Sequence, residues 1–436
     1  MTKTLICLGG GLEGLPILQR AKALGHRLVV VDGRADAPGM ALADVPVVAS
    51  CYDPAATVAA LVKVDEPLNG IICAAVDAPH VAAAVAEYAG LPGLTPAQAA
   101  LSVDKLAQKR ALRGRGLPVP DFVSLRGDDY GDSMRGAYIA WGAIWDGKPA
   151  VIKPNDSRGA RGVSMVYTEA DIESGFREAL RHSRSGLCTM EEYLPGPQLS
   201  TESIVVDGRV LFTAIALRNY DRLAEFAPHI IEDGFDMPYG DAALQADVDD
   251  VLTRACAALG WRTLTVKADL IIHEGRVVIL ELAARLSGGF LSTHGTPRAY
   301  GVDLIGAAIR LALGESLDTY MTLPTMTGRW VAQRYIFPDA ADIGRTAAEV
   351  PELKQFDDAC MLGGPPWDGR NLASGGVLLP GVAFATYAVR PGDVIAPVVS
   401  HSERLGQAIA TGATPELARA LAEAAVEAMK RAVTLE

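Results

Sequence analysis

The sequence predicts a multi-domain protein of mixed α/β and α+β class, opening on a parallel βαβ domain and continuing into antiparallel hairpins. Three observations predict it. The 436 residues exceed what one ordinary hydrophobic core supports. The first hundred residues alternate short apolar runs with helical periodicity. Further along, apolar runs come in pairs joined by short turns, as hairpin strands do.

In chain order, Leu5–Leu8 reads as a strand, Leu15–Leu24 as a helix, Arg27–Val31 as a strand and Pro54–Leu61 as a helix. Gly70–Ala74 is a third strand and Pro79–Tyr88 a third helix. This alternation implies a parallel sheet with right-handed crossovers, assigned to residues 1–103. From Val103 the pattern changes. A helix at Asp104–Arg115 stops at Gly116, a strand opens at Pro120–Leu125, and a polar, glycine-containing stretch (Gly127–Lys148) leads into the strand Pro149–Lys153. Antiparallel strands follow at Leu199–Val206, Val210–Leu217, Thr263–Ile272 and Arg276–Leu282, with helices at Asp171–His182, Ala246–Leu259 and one ending near Leu313. A second domain is therefore expected over 104–315. The tail, 316–436, carries strands around Gly328–Phe337 and Gly375–Arg390 and a helix from Thr414 to Arg431, which Thr-Pro-Glu caps and starts.

Composition narrows the function classes. Half the residues are hydrophobic and 21% are charged, a globular balance. The formal net charge of -12 leaves no basic footprint for nucleic acid. No run approaches the ~20 apolar residues that span a bilayer, so no membrane partner is expected. The chain enters its first strand without a signal-peptide pattern, and a cytoplasmic location is expected. The six cysteines are scattered, without a CxxC pair, and read as buried free thiols rather than disulfides or zinc ligands.

Gly9-Gly10-Gly11-Leu12-Glu13-Gly14 fits GxGxxG between a strand and a helix, and Asp32 ends the next strand. Alone, this suggests a dinucleotide site. Glycines also suit any tight strand-to-helix turn, and the helix N-terminus offers a backbone-lined site for a carboxylate or phosphate of a substrate.

Four features after Val103 carry more chemistry. Asp104-Lys105 heads a helix; a lysine there is ordinarily a solvated one. Val151-Ile152-Lys153-Pro154 ends an apolar strand, where a lysine is costly to bury unless it meets an anion. The Asn155–Val163 loop that follows is small, flexible and doubly basic, as a lid over phosphates would be; an exposed turn is the plainer reading. Thr189–Gln198 combines an extended strand with a Pro-Gly turn, which can present backbone donors and acceptors to an adenine edge. In Thr263–Ile272 the even positions are apolar while Thr265, Lys267 and Asp269 fall on the odd ones. After the His273–Arg276 turn the even positions Val278, Leu280 and Leu282 are apolar and the odd face runs through Glu281 to Arg285. Period 2 gives each strand a core face and a functional face. A hairpin loop of odd length places Asp269 and Glu281 together on the latter. Two such close carboxylates call for cations between them, as hard oxygen ligands of Mg²⁺ bridging phosphates, and Arg285 can hold a carboxylate in a fork. A surface hairpin with salt bridges is the ordinary alternative for this feature alone.

Taken in this order, these residues resemble the ATP-grasp superfamily over roughly residues 1–315, with an N-terminal Rossmann-like pre-ATP-grasp domain, an ATP-grasp domain whose lid subdomain lies at about 150–205, and a C-terminal α+β region. The resemblance implies that Lys105 and Lys153 hold nucleotide phosphates and that Ser157–Val163, with Gly159 and Gly162, forms the lid. It implies an adenine hinge at Glu191, Glu192 and Leu194, a ribose contact at Gln198, metal ligation by Asp269 and Glu281, and catalytic roles for Arg285 and Lys153. Gln198 stands where the family has an acid, and Ala283 where many members have asparagine. Glu-Leu-Ala-Ala-Arg-Leu-Ser-Gly-Gly is similar to the stretch in L-amino acid ligases. Biotin carboxylase, whose layout is similar, carries a different stretch from the Leu286–Phe290 found here, which argues against bicarbonate chemistry.

What the resemblance implies is ATP with two magnesium ions (manganese as a substitute), a small-molecule carboxylate converted to an acyl phosphate, and attack by an amine, amino acids being candidates for either substrate. A homodimer is the candidate assembly. Other readings stay open: a carboxylate–thiol ligase, a dinucleotide-dependent oxidoreductase on the Gly9–Gly14 turn, or a regulatory nucleotide-binding protein with an inactive site. Candidate selectors of the substrate are His229, Glu232, Phe235, Tyr239 and His294.

Overall fold

A computed structural model describes residues 2–318, 327–351 and 381–436. Cys360 and residues 375–380 of the expected tail strand lie outside these. The N-terminal sheet is parallel, in the order β3-β2-β1-β4, from β1 (Thr4–Leu8), β2 (Arg27–Asp32), β3 (Val45–Val48) and β4 (Gly70–Cys73). Strands β1, β2 and β4 are largely buried on both faces, which is why they read as continuous apolar runs, while β3 is a partly exposed edge. Helices α1 (Leu15–Ala23), α2 (Pro54–Leu61) and α3 (Pro79–Ala89) cover it. The short strand β3 and the helix α4 (Pro96–Val103), which a Thr95–Gln98 capping box starts, were not foreseen. Asp104 then caps α5 (Lys105–Gly114), accepting from the Ala107 amide at 2.8 Å.

A second sheet, in the order β5-β8-β6-β7, joins β5 (Phe122–Arg126), β6 (Ala150–Pro154), β7 (Ser164–Val166) and β8 (Leu187–Glu192). Helix α6 (Tyr130–Ile139), continued by a wide turn at Ala140–Ile144, and α7 (Glu169–His182) bury Met134, Ile172 and Phe176 against it. The stretch Gly127–Lys148 is thus largely helical rather than a polar linker, because Tyr130, Met134, Ala137 and Trp141 recur at helical spacing despite the intervening glycines. This unit begins at Phe122 and ends at Glu192, earlier at both ends than the expected 150–205.

The third sheet holds eight strands in the order β13-β12-β9-β10-β11-β14-β17-β16. They are β9 (Gln198–Val206), β10 (Arg209–Arg218), β11 (Phe235–Met237), β12 (Leu264–His273), β13 (Arg276–Ala283), β14 (Trp330–Ile336), β16 (Val382–Tyr387) and β17 (Gly406–Gly412), with β15 (Ala347–Glu349) pairing the terminal β18 (Thr434–Leu435) apart from it. The C-terminal strands extend the sheet of the preceding region, so 316–436 shares its core rather than standing alone. Helices α8 (Ala242–Leu259), α9 (Thr296–Tyr300), α10 (Leu304–Ala312) and α11 (Pro415–Ala432) pack on it. Contact between α10 and the N-terminal sheet is tight: a Cβ on Gly70 would fall 2.3 Å from the Ala312 carbonyl oxygen. No helix among the described residues is long and apolar enough to cross a membrane.

Candidate active site

The hairpin β12–β13 turns through two residues, Glu274 and Gly275, with His273 opposite Arg276. That loop length is even, so on its own it would put Asp269 and Glu281 out of step. A β-bulge restores them: between Asp269 and Leu270 the register shifts, Leu270 facing Ile279 and Asp269 facing Glu281, with Leu280 the extra residue. The bulge also changes faces. Val277, Ile279 and Leu282 enter the core, while Leu280, expected there, turns toward the cavity with Val278, Ile271 and Leu194.

Asp269 and Glu281 lie at one end of a cavity of about 280 Å³ between the second and third sheets. Cations meet both. Arg218 at the end of β10 reaches Asp269 at 2.9 Å and also pairs with Glu232, and Lys267 pairs with Asp269. Burial would raise the Asp269 carboxyl, but Lys267 and Arg218 outweigh it and hold it down to about 2. Lys105 stands 3.1 Å from Glu281 and donates to the Ser157 carbonyl at 3.0 Å, tying the helix start to the lid loop.

Lys153 on β6 meets Glu191 on β8 at 2.9 Å, and Lys109 meets the other oxygen of the same carboxylate at 3.0 Å. Thr189 also donates to Glu191, at 2.9 Å. Burial opposes ionisation of Glu191, yet the two lysines keep it below the usual range. Burial pushes Lys109 down to about 8 against the pull of Glu191. One carboxylate between two lysines leaves net positive charge facing the cavity, which suits phosphate oxygens. The Glu191 carboxylate, in the segment expected to form the adenine hinge, is thus engaged as a counterion to the two lysines, and its strand is paired on both sides, Glu191 facing Phe122 and Val151.

The hinge Glu192–Leu194 and Gln198 line the same cavity. Gly196 turns the chain between them at φ +145°, where a Cβ would sit 2.0 Å from the Ile272 carbonyl oxygen. From the lid, Ser157, Arg158, Gly159, Ala160, Arg161 and Val163 face the cavity. Gly162 does not; it packs against His182 and Pro154, with a hypothetical Cβ 2.9 Å from His182, and so shapes the loop rather than lining the site. The lid is fastened to both ends of the molecule. The Arg158 guanidinium lies 3.9 Å from the centre of the Tyr52 ring, and the His401 amide donates to the Gly159 carbonyl at 3.0 Å.

Arg285 joins this cavity to a second one of about 480 Å³. It donates from Nε to Asp77 at 2.9 Å and from Nη1 to the Leu286 carbonyl at 3.0 Å. Asp77 comes from the loop after β4, so the N-terminal domain supplies this partner. The turn after Arg285 is pinned by two carboxylates: Glu202 accepts from the Ser287 amide at 2.9 Å and from its hydroxyl, and Glu13 accepts from the Gly289 amide at 2.9 Å. Burial raises the Glu202 carboxyl to about 7 and lifts that of Glu13 above the usual range.

Glu13 is the part of the glycine turn that reaches the cavity. Within the turn, the Gly10 amide is taken by Asp32 at 2.8 Å, and Gly39 closes on Gly10, its amide 2.7 Å from the Gly10 carbonyl oxygen. Asp32 accepts from the Arg34 amide as well, at 2.9 Å. Both Asp32 oxygens are thus engaged by backbone amides of this region, while a Cβ on Gly11 would meet nothing within 4 Å. Of the candidate selectors, Glu232 and Phe235 line the second cavity. Tyr239 packs on a core cluster, His294 is buried between Phe290 and Phe384, and His229 pairs with Ser164 outside both cavities.

Sequence reasoning missed Asp77, Lys109, Arg218 and Glu202. Lys109 carried a signal, one helical turn beyond Lys105 on the same face. Arg218 and Glu202 continue the face that holds Asp269, but Arg218 falls one residue beyond the strand expected at Val210–Leu217, and Glu202 stands among other polar residues of its strand.

Comparison with known proteins places this geometry. Residues 140–320 match the family model of the carbamoyl-phosphate synthase L chain ATP-binding domain, and residues 377–433 match that of the L-amino acid ligase C-terminal domain 2. A D-alanine–D-alanine ligase of Desulforudis audaxviator is 29% identical over 204 residues, 45% of this chain; the match spans 63% of that relative's length. The crystal structure of an L-amino acid ligase from Bacillus licheniformis superposes with a TM-score of 0.71 at 17% identity, over 100% of this chain and 98% of that one. The biotin carboxylase domain of Hydrogenobacter thermophilus 2-oxoglutarate carboxylase, solved with MgADP, ADP and bicarbonate, gives 0.69 at 16% identity, over 100% and 91%. By fold the chain is an ATP-grasp protein, and its sequence likeness runs to the L-amino acid ligases and the D-alanine–D-alanine ligases.

Proposed function

We propose that this chain is an ATP- and magnesium-dependent ligase that converts a carboxylate to an acyl phosphate and joins it to an amine, releasing ADP and phosphate. One observation carries the reading: Asp269 and Glu281 face each other across a bulged hairpin, between two lysine-bearing walls and beneath a doubly basic lid. The similarity to D-alanine–D-alanine and L-amino acid ligases supports it, as does the MgADP bound by a structural neighbour.

The residues fit their proposed ligands. Leu194, Ile271, Val278 and Leu280 offer an apolar slot for adenine beside the hinge backbone, and Gln198 is placed for the ribose. Lys105 and Lys153 would exchange their present carboxylate partners for phosphate oxygens. Asp269 and Glu281 supply hard oxygen donors; no cluster of three or more acidic, His or Cys ligands occurs among the described residues, so phosphate and water must complete the shell. These two carboxylates would hold magnesium, two ions in this reading with manganese as a substitute, which would screen the charge of the phosphates.

A carboxylate is a poor electrophile because its charge repels nucleophiles. Arg285 would hold it in the second cavity next to the terminal phosphoryl group and stabilise the charge that develops as its oxygen attacks phosphorus and the bond to ADP breaks. The amine then attacks the acyl carbon, phosphate departs and the ammonium loses a proton. The lid, held by Tyr52 and His401, excludes water that would hydrolyse the acyl phosphate. The test is a screen of amino acids and small carboxylates for nucleotide turnover, with mass spectrometry of products. The expected result is ADP and phosphate in step with one amide product; AMP and pyrophosphate would overturn the reading.

A further inference from the structure

We propose that Arg404 is a substrate-binding residue that takes a carboxylate of the substrate in the second cavity, at a distance from the reacting carboxylate held by Arg285. This rests on the ligase reading for the class of ligand only.

The guanidinium is built into the cavity wall. A rigid turn precedes it: Ser400 caps His401–Glu403, its amide donating to Glu403 at 2.7 Å while its hydroxyl accepts from Ser402 at 3.1 Å. The Arg404 guanidinium carbon lies over the Tyr335 ring, 3.6 Å from the centroid, and Nη2 donates to the Glu232 backbone carbonyl. Both contacts fix the group without neutralising it. Its Nε is buried and has no hydrogen-bond partner.

The other charges of this cavity are already matched. Glu232 pairs with Arg218, and Asp77 with Arg285. Glu13 accepts from the Gly289 amide and lies close enough to Arg404 for the two charges to interact, yet no carboxylate comes within ion-pair distance of Arg404 among the described residues. Arg158 and Arg161 also lack such a partner, but they belong to the lid and face the nucleotide cavity as well. Arg404 is therefore the cation off the lid that burial leaves in want of an anion. A guanidinium presents its donors in a plane, the geometry that a carboxylate accepts in a fork.

The experiment is a thermal-shift titration of the full chain, without nucleotide, using each of the L-amino acids and its carboxamide, on wild type and Arg404→Met. It needs no turnover, so it answers even if the ADP-release screen fails. The expected result is that at least one amino acid binds the wild type about 10- to 100-fold more tightly than its carboxamide, as a lost charged hydrogen bond implies. Arg404→Met should bring the acid down to the level of the amide and leave the amide unchanged, and Arg404→Lys should keep part of the preference. Arg404→Gln serves the same comparison if the methionine variant does not fold. No acid-over-amide preference in wild type, or one that survives in both variants, overturns the proposal.

Discussion

Glu281→Gln is expected to lower kcat by about 10²-fold or more, the scale of removing a key electrostatic stabiliser. The carboxylate projects from a bulged strand into the first cavity opposite Asp269, and its partner there is Lys105 at 3.1 Å. Glutamine keeps the size and accepts a hydrogen bond but removes the negative charge that would draw the proposed metals. Relief of repulsion between two carboxylates would raise stability on replacement. Lys105, Lys267 and Arg218 already screen that repulsion, however, and the variant loses the attraction to Lys105. The melting temperature without nucleotide should therefore fall slightly rather than rise. Asp269→Asn should show the milder loss, with partial rescue by excess magnesium. Steady-state ADP release at saturating magnesium checks both, and near-full activity of Glu281→Gln would remove the metal assignment.

The second large effect is on stability. Lys109 has a side chain 2% exposed, and it joins Glu191, 4% exposed, to the Leu280 carbonyl at 3.0 Å. Lys109→Met leaves a buried carboxylate with one lysine in place of two and strands that carbonyl. Breaking one partner of a buried pair costs about 3–5 kcal/mol, and urea unfolding should show a loss of that order. The double variant Lys109→Met with Glu191→Gln should lose less than the sum of the single variants, because the stranded charge is gone. A change below about 0.5 kcal/mol, as for an ordinary surface lysine, would contradict the triad.

The parallel domain was legible because strands buried on both faces read as apolar runs with nothing between them but helices and turns. Lys153 was legible for a related reason: a lysine closing an apolar strand has few structural excuses. Asp269 and Glu281 were found through strand alternation, although by an argument that needed an odd loop where the chain uses an even loop and a bulge. A bulge leaves no mark in a period-2 pattern except a one-residue slip, and the run Val277–Leu280 ahead of Glu281 is too uniformly apolar to display it. Helix α6 was hidden by Gly131 and Gly136, which lower its local propensity while packing on Phe176 and its neighbours sustains it. Lys109, Arg218 and Glu202 escaped because burial decides their meaning, and burial of a charged side chain depends on partners far away in the chain. Arg404 lies more than a hundred residues beyond the metal hairpin and reaches the cavity only because β14 and β17 extend the same sheet.

Transfer of a phosphoryl group to a carboxylate oxygen is the proposed central step, and isotope tracking tests it most directly. With a substrate whose carboxylate carries ¹⁸O at both oxygens, turnover should place one ¹⁸O in each inorganic phosphate released and leave the other in the amide product, with ADP as the nucleotide. Recovery of ¹⁸O in AMP, with unlabelled pyrophosphate beside it, would show that the carboxylate attacks the α-phosphorus instead and would contradict the account.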